Sequence, residues 1–490
     1  MSAVCATAIG VAGCTMEPRY QRPQAAIATQ WPEATAAAPA ASDIGWRDFF
    51  SDAGLQQLIE LALLHNPDAR VAELNIAAAR ARYQIQKASL FPAISASAFE
   101  EIEKYPSSVA AIATSGAGAT GASATPPSTG GSSVFRYADV GIGFTSYELD
   151  LFGKIRSLDH ERLQQYLGYV ETRRSAQISV VAEVANAYLT LLADQKLLQI
   201  TRDTLDSQQD SLGLIRMSFD GGVATALDFH QAQTTVATAQ ANLAQYERRV
   251  AQDRNALAVL LGVPLPEDLP ARGELDSERL LTDLPAGMPS EVLTQRPDIL
   301  AAEHNLIAAN ANIGAARAAF FPSISLTGNF GTASTQLSGL FQRGSTAWTF
   351  SPQISMPIFA GGANVAGLHL AKIQKDILTT QYQQSIQTAF REVADALAGR
   401  GTLDRQMAAD QMLVDASAES FRLSGMRFTQ GVDNYLGVLD SQRSLFFARQ
   451  SLVEVQLARL QNLVTLYKAL GGGWRERSVQ GPPSAGGAAP

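Results

Sequence analysis

The stretch FTQGVDNYLGVLD, residues Phe428–Asp440, decides the fold of this chain together with its earlier counterpart FDGGVATALDFHQ, residues 219–231. Each stretch lies between two long helical patterns and is predicted to be a helical hairpin tip, because Gly222 and Gly431 allow the positive φ of a sharp reversal. No proline occurs from 128 to 263 or from 358 to 481, so helix, tip and helix can follow one another without a break. A helix of roughly 60 residues, such as Lys154–Leu212, would be about 90 Å long. This length exceeds the diameter of a globular domain and requires a tube or a coiled coil.

The chain contains an internal duplication. The segment HNPDARVAELNIAAARARYQIQKASLFPAIS (65–95) returns as QRPDILAAEHNLIAANANIGAARAAFFPSIS (295–325), 230 positions later. A second series returns 209 positions later, with Met217, Phe219, Gly222, Val223 and Leu227 matching Met426, Phe428, Gly431, Val432 and Leu436. The difference between 230 and 209 gives the first copy about 21 extra residues, which we assign mostly to the low-complexity segment 106–133.

The periodicity changes from helical to two after each Phe-Pro pair. In the second copy, apolar residues at 324, 326, 328 and 330 alternate with polar ones, and the pattern returns at 348–358; in the first copy it occurs at 140–145. Strands of about ten residues with one apolar and one polar face are typical of a barrel with lipid outside and water inside. We therefore predict β-hairpins at about 93–150 and 323–358, with Pro352 at a bulge or at the start of the fourth strand.

Four strands per chain have a consequence for assembly. Known transmembrane barrels begin at eight strands, and open sheet edges are not tolerated in lipid. The chain must therefore oligomerise to span a membrane through its strands.

Composition excludes several function classes. The formal net charge is −8 and no Lys/Arg cluster occurs beyond scattered pairs, which argues against a nucleic-acid partner. The glycines Gly116, Gly118 and Gly121 spell GxGxxG, but they lie in a Gly/Ala/Ser/Thr tract without the flanking strand and helix of a dinucleotide site. The five histidines show no i, i+4 ligand pair. We predict no cofactor, no metal site and no enzymatic activity.

The N-terminus carries a possible lipid-attachment motif. The stretch VAGC ending at Cys14 resembles a bacterial lipobox, and the apolar run Ala3–Val11 fits the core of a signal peptide. The run is short and no Lys or Arg precedes it, so two interpretations stay open: a start upstream of Met1, or a chance match. Cleavage before Cys14 would leave no other thiol, which suits an oxidising periplasm.

The predicted organisation has six parts. They are a signal peptide and lipobox (1–14), an extended and weakly ordered N-terminal arm (15–51), a first repeat (52–262), a connecting equatorial segment (263–288), a second repeat (289–471) and a C-terminal tail (472–490) whose last ten residues are predicted to be disordered.

With these residues in hand, the chain resembles the outer-membrane efflux protein family, the TolC-like channels of bacterial tripartite pumps, and its lipidated subgroup most of all. The resemblance covers about 18–474 and rests on GWRDFF, LQQLIELALLHNPD, AFFPSISL, SPQISMPIFAGG and GVDNYLGVLDSQRSLFFARQ. It implies an α+β membrane protein: a homotrimer in which four strands per chain form a twelve-stranded transmembrane β-barrel and the duplicated helical hairpins form a periplasmic α-helical barrel.

The resemblance also implies site residues. Leu436 and Asp440 share one helix face just past the second tip; from spacing alone they could be a core leucine beside a solvated carboxylate, whereas the family's constricting residues match these positions and imply a periplasmic gate. The tips are expected to dock a periplasmic adaptor through Ser218, Phe219, Gly221, Gly222, Arg427, Phe428 and Gly431. Some relatives carry a gating Arg two residues after the tip Gly, where this chain has Asp433, so that ion pair is not carried over.

The function implied is a passive, gated outer-membrane duct for small toxic compounds or drugs. The partners that the resemblance implies are a periplasmic adaptor, an inner-membrane pump of the resistance–nodulation–division type, and outer-membrane lipid. Two alternatives stay open: a duct for type I protein secretion on the same fold, and a soluble coiled-coil adaptor or structural protein. The alternating strands disfavour the second.

Overall fold

The computed structural model describes residues 15–24, 43–105, 133–266, 275, 280, 284 and 295–478. Cys14, the glycine-rich segment around Gly116, most of the connecting segment and residues 479–490 lie outside the described residues. The described residues fall into two compact units: one within Met1–Gln21, Arg80–Gln164 and Ile307–Asp376, the other within Arg22–Ala79, Gln165–Leu306 and Ile377–Pro490.

The elements repeat along the chain in the order that the duplication predicts. The first copy contains α1 (Trp46–Phe49), α2 (Ala53–His65), α3 (Pro67–Ala88), β1 (Ile94–Tyr105), β2 (Ser133–Leu149), α4 (Lys154–Asp220) and α5 (Ala226–Leu261). The second contains α6 (Pro297–Ala318), β3 (Ser323–Ser334), a 3-10 turn (Leu337–Gly339), β4 (Thr346–Ser355), α7 (Ala363–Thr429) and α8 (Tyr435–Ala469). Helices α4 and α7 have 67 residues each, which corresponds to about 100 Å.

The four strands form one antiparallel sheet in the order β1-β2-β3-β4. Its register keeps apolar residues on one face: Ile142 lies opposite Phe330, which lies opposite Trp348. Over residues 94–98, 140–144 and 323–332 the other face is polar and has small residues, whereas Phe99 and Tyr137 lie on it further along β1 and β2. The Asn329 side chain lies so close to Gly141 that a Cβ at Gly141 would be 2.6 Å from its Oδ1.

A β-bulge in β2 maintains this two-faced pattern. Between Phe144 and Tyr147 the pairing with β3 shifts by one residue, and Ser146 there has a φ of 56°. Since side chains alternate with period two, the extra residue returns Tyr147 and Leu149 to the apolar face that Phe144 occupies.

The prediction that Pro352 lies at a bulge or at the start of the fourth strand is wrong. Pro352 lies inside β4 and pairs with Leu326 in regular register. The β3–β4 ladder tolerates it because the hydrogen bond between Ala333 and Ser345 sets the alternation that makes Leu326–Pro352 a non-hydrogen-bonded pair, so no amide is needed there.

The core of the second unit joins the chain's two ends. Phe49 stacks on Tyr467 with ring centroids 4.0 Å apart, and the Tyr467 hydroxyl donates to the carbonyl of Ile44 at 2.7 Å. The backbone of Trp46 donates to the carbonyl of Arg475 at 2.9 Å. The first residues of the predicted tail are therefore part of this core.

The same unit repeats one tertiary contact at the two repeat junctions. Asn66, just before α3, donates its side-chain amide to the carbonyl of Leu260 at 2.7 Å. Arg296, just before α6, donates to the carbonyl of Ala469 at 2.7 Å. In each repeat, the residue just before the short helix donates to the end of the last long helix of that repeat. The duplication therefore extends to tertiary contacts.

Residues 15–24, at the start of the predicted arm, form neither helix nor strand and make several hydrogen bonds to helices of the same unit. Glu17 accepts from His160 at 3.0 Å, and the carbonyls of Met16 and Pro18 accept from Arg317 at 3.1 Å and Asn310 at 2.7 Å. These contacts hold the start of the arm against α4 and α6.

Among the described residues, one helix, Lys154–Asp220, contains a stretch that could cross a membrane by length and composition. Of that stretch, 61% is buried inside the protein. A buried core helix meets the same criterion, and the burial favours that interpretation here.

Candidate functional site at the helical hairpin tips

The first tip joins α4 to α5 by a tight, capped turn. The amides of Val223 and Ala224 donate to the carbonyl of Ser218 at 2.9 and 3.1 Å, which satisfies the end of α4. The amide of Gly221 bonds the carbonyl one turn earlier, and Gly222 has a φ of +72° with no atom within 4 Å of an added Cβ. Only the backbone conformation requires glycine at 222.

The start of α5 is fixed by a capping box between Thr225 and Asp228. The Thr225 hydroxyl accepts from the Asp228 amide at 3.2 Å, and the Asp228 carboxylate accepts from the Thr225 amide at 3.0 Å. Phe219 stacks on Phe229 with ring centroids 5.4 Å apart. The first tip is therefore held on both sides of the turn.

The second tip joins α7 to α8 with the same backbone. Gly431 also has a φ of +72° and open space around it, and Phe428 contacts Tyr435 at 5.4 Å between ring centroids. Asn434 caps α8, although its bond from Gly437 is long at 3.4 Å.

An ion pair across the second tip was not found by sequence reasoning. Arg427 donates to both carboxylate oxygens of Asp433, at 2.5 and 3.2 Å, and these hydrogen bonds lower the pKa of Asp433. The counterpart positions in the first tip are Ser218 and Ala224, so only the second tip has this pair. Asp433 is thus held by a residue of its own hairpin.

The two tips share one apolar core. Ile215 and Ala232 of the first hairpin pack with Tyr435, Val438 and Leu439 of the second. This packing fixes the rotation of α8, because Tyr435, Val438 and Leu439 define its inward face.

Leu436 and Asp440 lie on the opposite face of α8 from this core. Leu436 is 54% exposed and Asp440 is exposed as well, so the interpretation of Leu436 as a core leucine is wrong for the chain by itself. The two residues are one turn apart, as their spacing predicts. This face of α8 therefore exposes an apolar side chain and, one turn further along the helix, a carboxylate.

Two polar contacts hold the first turns of α8 against its neighbours. The hydroxyls of Ser424 and Ser441 are 2.6 Å apart and join α8 to α7. The side-chain amide of Gln442 donates to the Ser207 hydroxyl on α4 at 3.2 Å. The position of the Leu436–Asp440 face therefore depends on contacts to helices of both repeats within the chain.

Each tip also exposes a valine directly after its glycine. Val223 is 86% exposed and Val432 is 62% exposed. The duplicated Gly-Val pair was a sequence signal for these surface residues, but the prediction of docking residues stopped at the glycines.

The described residues contain no group of three or more His, Cys, Asp or Glu side chains that could hold a metal ion. The described residues of the two tips form an exposed surface and do not bring a nucleophile and a general base together.

Comparison with known proteins agrees with this architecture. The sequence profile of the family described as "Outer membrane efflux protein" matches residues 58–263 and 288–472. The chain is similar to the toluene efflux pump outer membrane protein TtgC and the antibiotic efflux pump outer membrane protein ArpC, both of Pseudomonas putida. Each is 47% identical over 480 residues, covering 97% of this chain and 96% of the relative.

A solved structure gives the same result for the fold. The open state of the MtrE outer membrane channel of Neisseria gonorrhoeae superimposes with a TM-score of 0.85 at 39% identity, covering 95% of this chain and all of that chain. The predicted fold class, long helical hairpins with four strands per chain, is confirmed. The chain belongs to the outer membrane efflux protein family, whose members are channels, and it is an outer-membrane component of an efflux pump.

Proposed function

We propose that three copies of this chain assemble into a passive, gated duct that carries small toxic compounds from the periplasm to the exterior. One observation carries this proposal: a sheet with one apolar and one polar face, in a chain whose other elements are mainly long helices. The sheet supplies four strands with lipid-compatible and water-compatible faces. Three chains supply twelve, enough to close a barrel and remove the open edges.

The partners in this proposal are a periplasmic adaptor and an inner-membrane pump of the resistance–nodulation–division type. The adaptor docks at the two tips, where Val223 and Val432 add exposed apolar surface beside Ser218, Phe219 and Phe428. Gly222 and Gly431 give both tips the same backbone, so one adaptor element can meet either tip.

The proposed gate is a ring formed by Leu436 and Asp440 from three copies. Leucines that narrow a water-filled bore can block it by excluding water. A ring of three carboxylates below them would attract cations. The contacts of Ser441 and Gln442 to the neighbouring helices would hold the ring in its closed position.

The substrates proposed are small amphipathic or apolar compounds, the class to which toluene and many antibiotics belong. The relatives named above support this class. Cys14 is proposed to carry a lipid anchor. The alternative, a duct for type I protein secretion, uses the same fold and differs in its cargo.

The test is deletion of the gene in its host, followed by complementation. Loss of the chain is expected to lower tolerance to toluene and to small amphipathic antibiotics, and plasmid-borne parent protein is expected to restore it. The same strains should secrete an unchanged set of proteins. Unchanged tolerance together with loss of a secreted protein would reject efflux in favour of secretion.

A further inference from the structure

Within the described residues, the sheet has two backbone edges without a neighbouring strand, one on β1 and one on β4. Unpaired amides and carbonyls at such edges cannot face lipid. Beyond the end of β4, Ile358 is 96% exposed and Phe359 is 91% exposed. In the trimer of the proposed function, on which this inference rests, the β4 edge of one copy meets the β1 edge of the next.

The internal duplication provides a template for that junction. Ile94 in β1 and Ile324 in β3 are counterparts 230 positions apart. Ile94 pairs with Phe144, and Ile324 pairs with Ile354, so Phe144 in β2 and Ile354 in β4 are counterparts as well. The β2–β3 junction within one chain therefore corresponds to a β4–β1 junction between two chains.

This correspondence fixes a register. Phe144 faces Gly328 across the β2–β3 junction, and the counterparts of these two residues are Ile354 and Ala98. We propose that Ile354 of one copy pairs directly with Ala98 of the next in an antiparallel ladder. The other pairs follow in steps along the strands: Ile358–Ile94, Met356–Ala96, Ser355–Ser97, Gln353–Phe99, Pro352–Glu100, Phe350–Ile102 and Trp348–Lys104.

A second route through the structure gives the same register. Helices α4 and α7 begin 209 positions apart, at Lys154 and Ala363, which makes Leu149 and Ile358 counterparts. Leu149 faces Ile324, so Ile358 faces Ile94 of the next copy. Phe144 and Ile354 are 210 positions apart, whereas Leu149 and Ile358 are 209 positions apart. The bulge at Ser146 adds one residue to β2 between these two points, and β4 has no such bulge.

The register matches the two faces of the sheet. Ile354 and Ile358 of one copy join the apolar row of Ile94, Ala96 and Ala98 of the next. A slip of one residue would place this apolar row against the polar row of β4. The face pattern thus excludes registers shifted by an odd number of residues, and the duplication selects one register among those that remain.

The register also explains why β4 is shorter than the sequence predicts. The alternation runs to Ile358, whereas β4 ends at Ser355, opposite the first residue of β3, Ser323. Residues 356–358 have no ladder partner on β3. In the trimer, Ile94 and Ala96 of the next copy supply the partners, and β4 extends to Ile358.

Cysteine cross-linking in isolated outer membranes tests the register. Residues directly opposite in an antiparallel pair have Cα atoms about 4.5–5.5 Å apart, within the range of a disulfide. The variant Ser355→Cys with Ser97→Cys should form chain-to-chain disulfides under copper–phenanthroline, seen as dimers and trimers on denaturing non-reducing gels. The matched control, Ser355→Cys with Ser95→Cys, moves one thiol by two residues on the same face and should cross-link several times more slowly.

Further controls separate the possible failures. Single variants measure any background from Cys14, and Ser355→Cys with Ser323→Cys should close a bond within one chain, because these residues pair inside the sheet. Faster cross-linking through position 95 than through position 97 would overturn the register while leaving the trimer intact. Native mass spectrometry of the uncross-linked variants identifies the other case: absence of trimers would overturn the assembly, and this register with it.

Discussion

Replacing both Leu436 and Asp440 with alanine is expected to open the closed duct while leaving the fold intact. Both side chains lie on the exposed face of α8, away from the core that joins the two tips. In the proposed gate, shortening Leu436 would widen the apolar ring, and removing the Asp440 carboxylate would remove the negative charge of the ring. The closed state then loses both of its barriers.

The structure gives the size of the stability cost. Full burial of a leucine side chain stabilises a protein by about 1.5–3 kcal/mol. Leu436 is 54% exposed, so its truncation should cost roughly 1 kcal/mol or less in the chain itself. Leu439, three residues further along α8, is 3% exposed in the tip core. Its replacement by alanine should lower the free energy of unfolding by about 2–5 kcal/mol.

This contrast supplies the matched control. Purified Leu436→Ala/Asp440→Ala protein should show a larger resting conductance than the parent in planar bilayers, with a nearly unchanged melting temperature. Leu439→Ala should lower the melting temperature clearly. Cells with the double variant should also become sensitive to bulky antibiotics that the outer membrane normally excludes, and Asp440→Ala alone should weaken block by divalent cations.

The refuting result is specific. If the double variant is made at normal level, assembles as the parent does and conducts and excludes as the parent does, the constriction lies elsewhere. The assignment of Leu436 and Asp440 as the gate would then be wrong.

Three further predictions concern the anchor, the tips and one buried carboxyl pair. Cys14→Ser should abolish labelling by a clickable fatty acid, and labelling that survives would contradict the lipobox. Ala at Gly222 and Gly431 should strain each turn by about 1–2 kcal/mol and reduce efflux, whereas Asn, which tolerates this conformation, should retain it; equal efflux for both would argue against tip docking. Burial and the nearby Asp194 raise the pKa of Asp253 to about 6. Its ionisation therefore costs stability as pH rises from about 3.8 to 6, so Asp253→Asn should raise the melting temperature at pH 7.5 but not below pH 4; an equal shift at both pH values would refute this.

Much of the fold was predictable because long-range order follows from local patterns here. The absence of proline and the duplicated helical periodicity predicted the long hairpins, and α4 ends at Asp220, within the predicted first tip. Strand alternation predicted both β-hairpins. Pro352 was a misleading signal, because it lies at a non-hydrogen-bonded pair of the β3–β4 ladder, where its missing amide causes no bulge. The actual bulge at Ser146 is marked by neither glycine nor proline.

The site was predictable in position but not in its contacts. Glycines in the left-handed region marked both tips, since backbone sterics demand them there. The Arg427–Asp433 pair depends on how the turn folds back, which spacing alone does not give. The exposure of Leu436 depends on the packing of the second hairpin against the first, a tertiary contact that no local pattern encodes.

Native mass spectrometry of the full chain extracted from outer membranes tests the central claim most directly. The proposal of a trimeric duct requires one species with three times the mass of one chain, recovered from the outer-membrane fraction. A monomer recovered from the soluble fraction would contradict it.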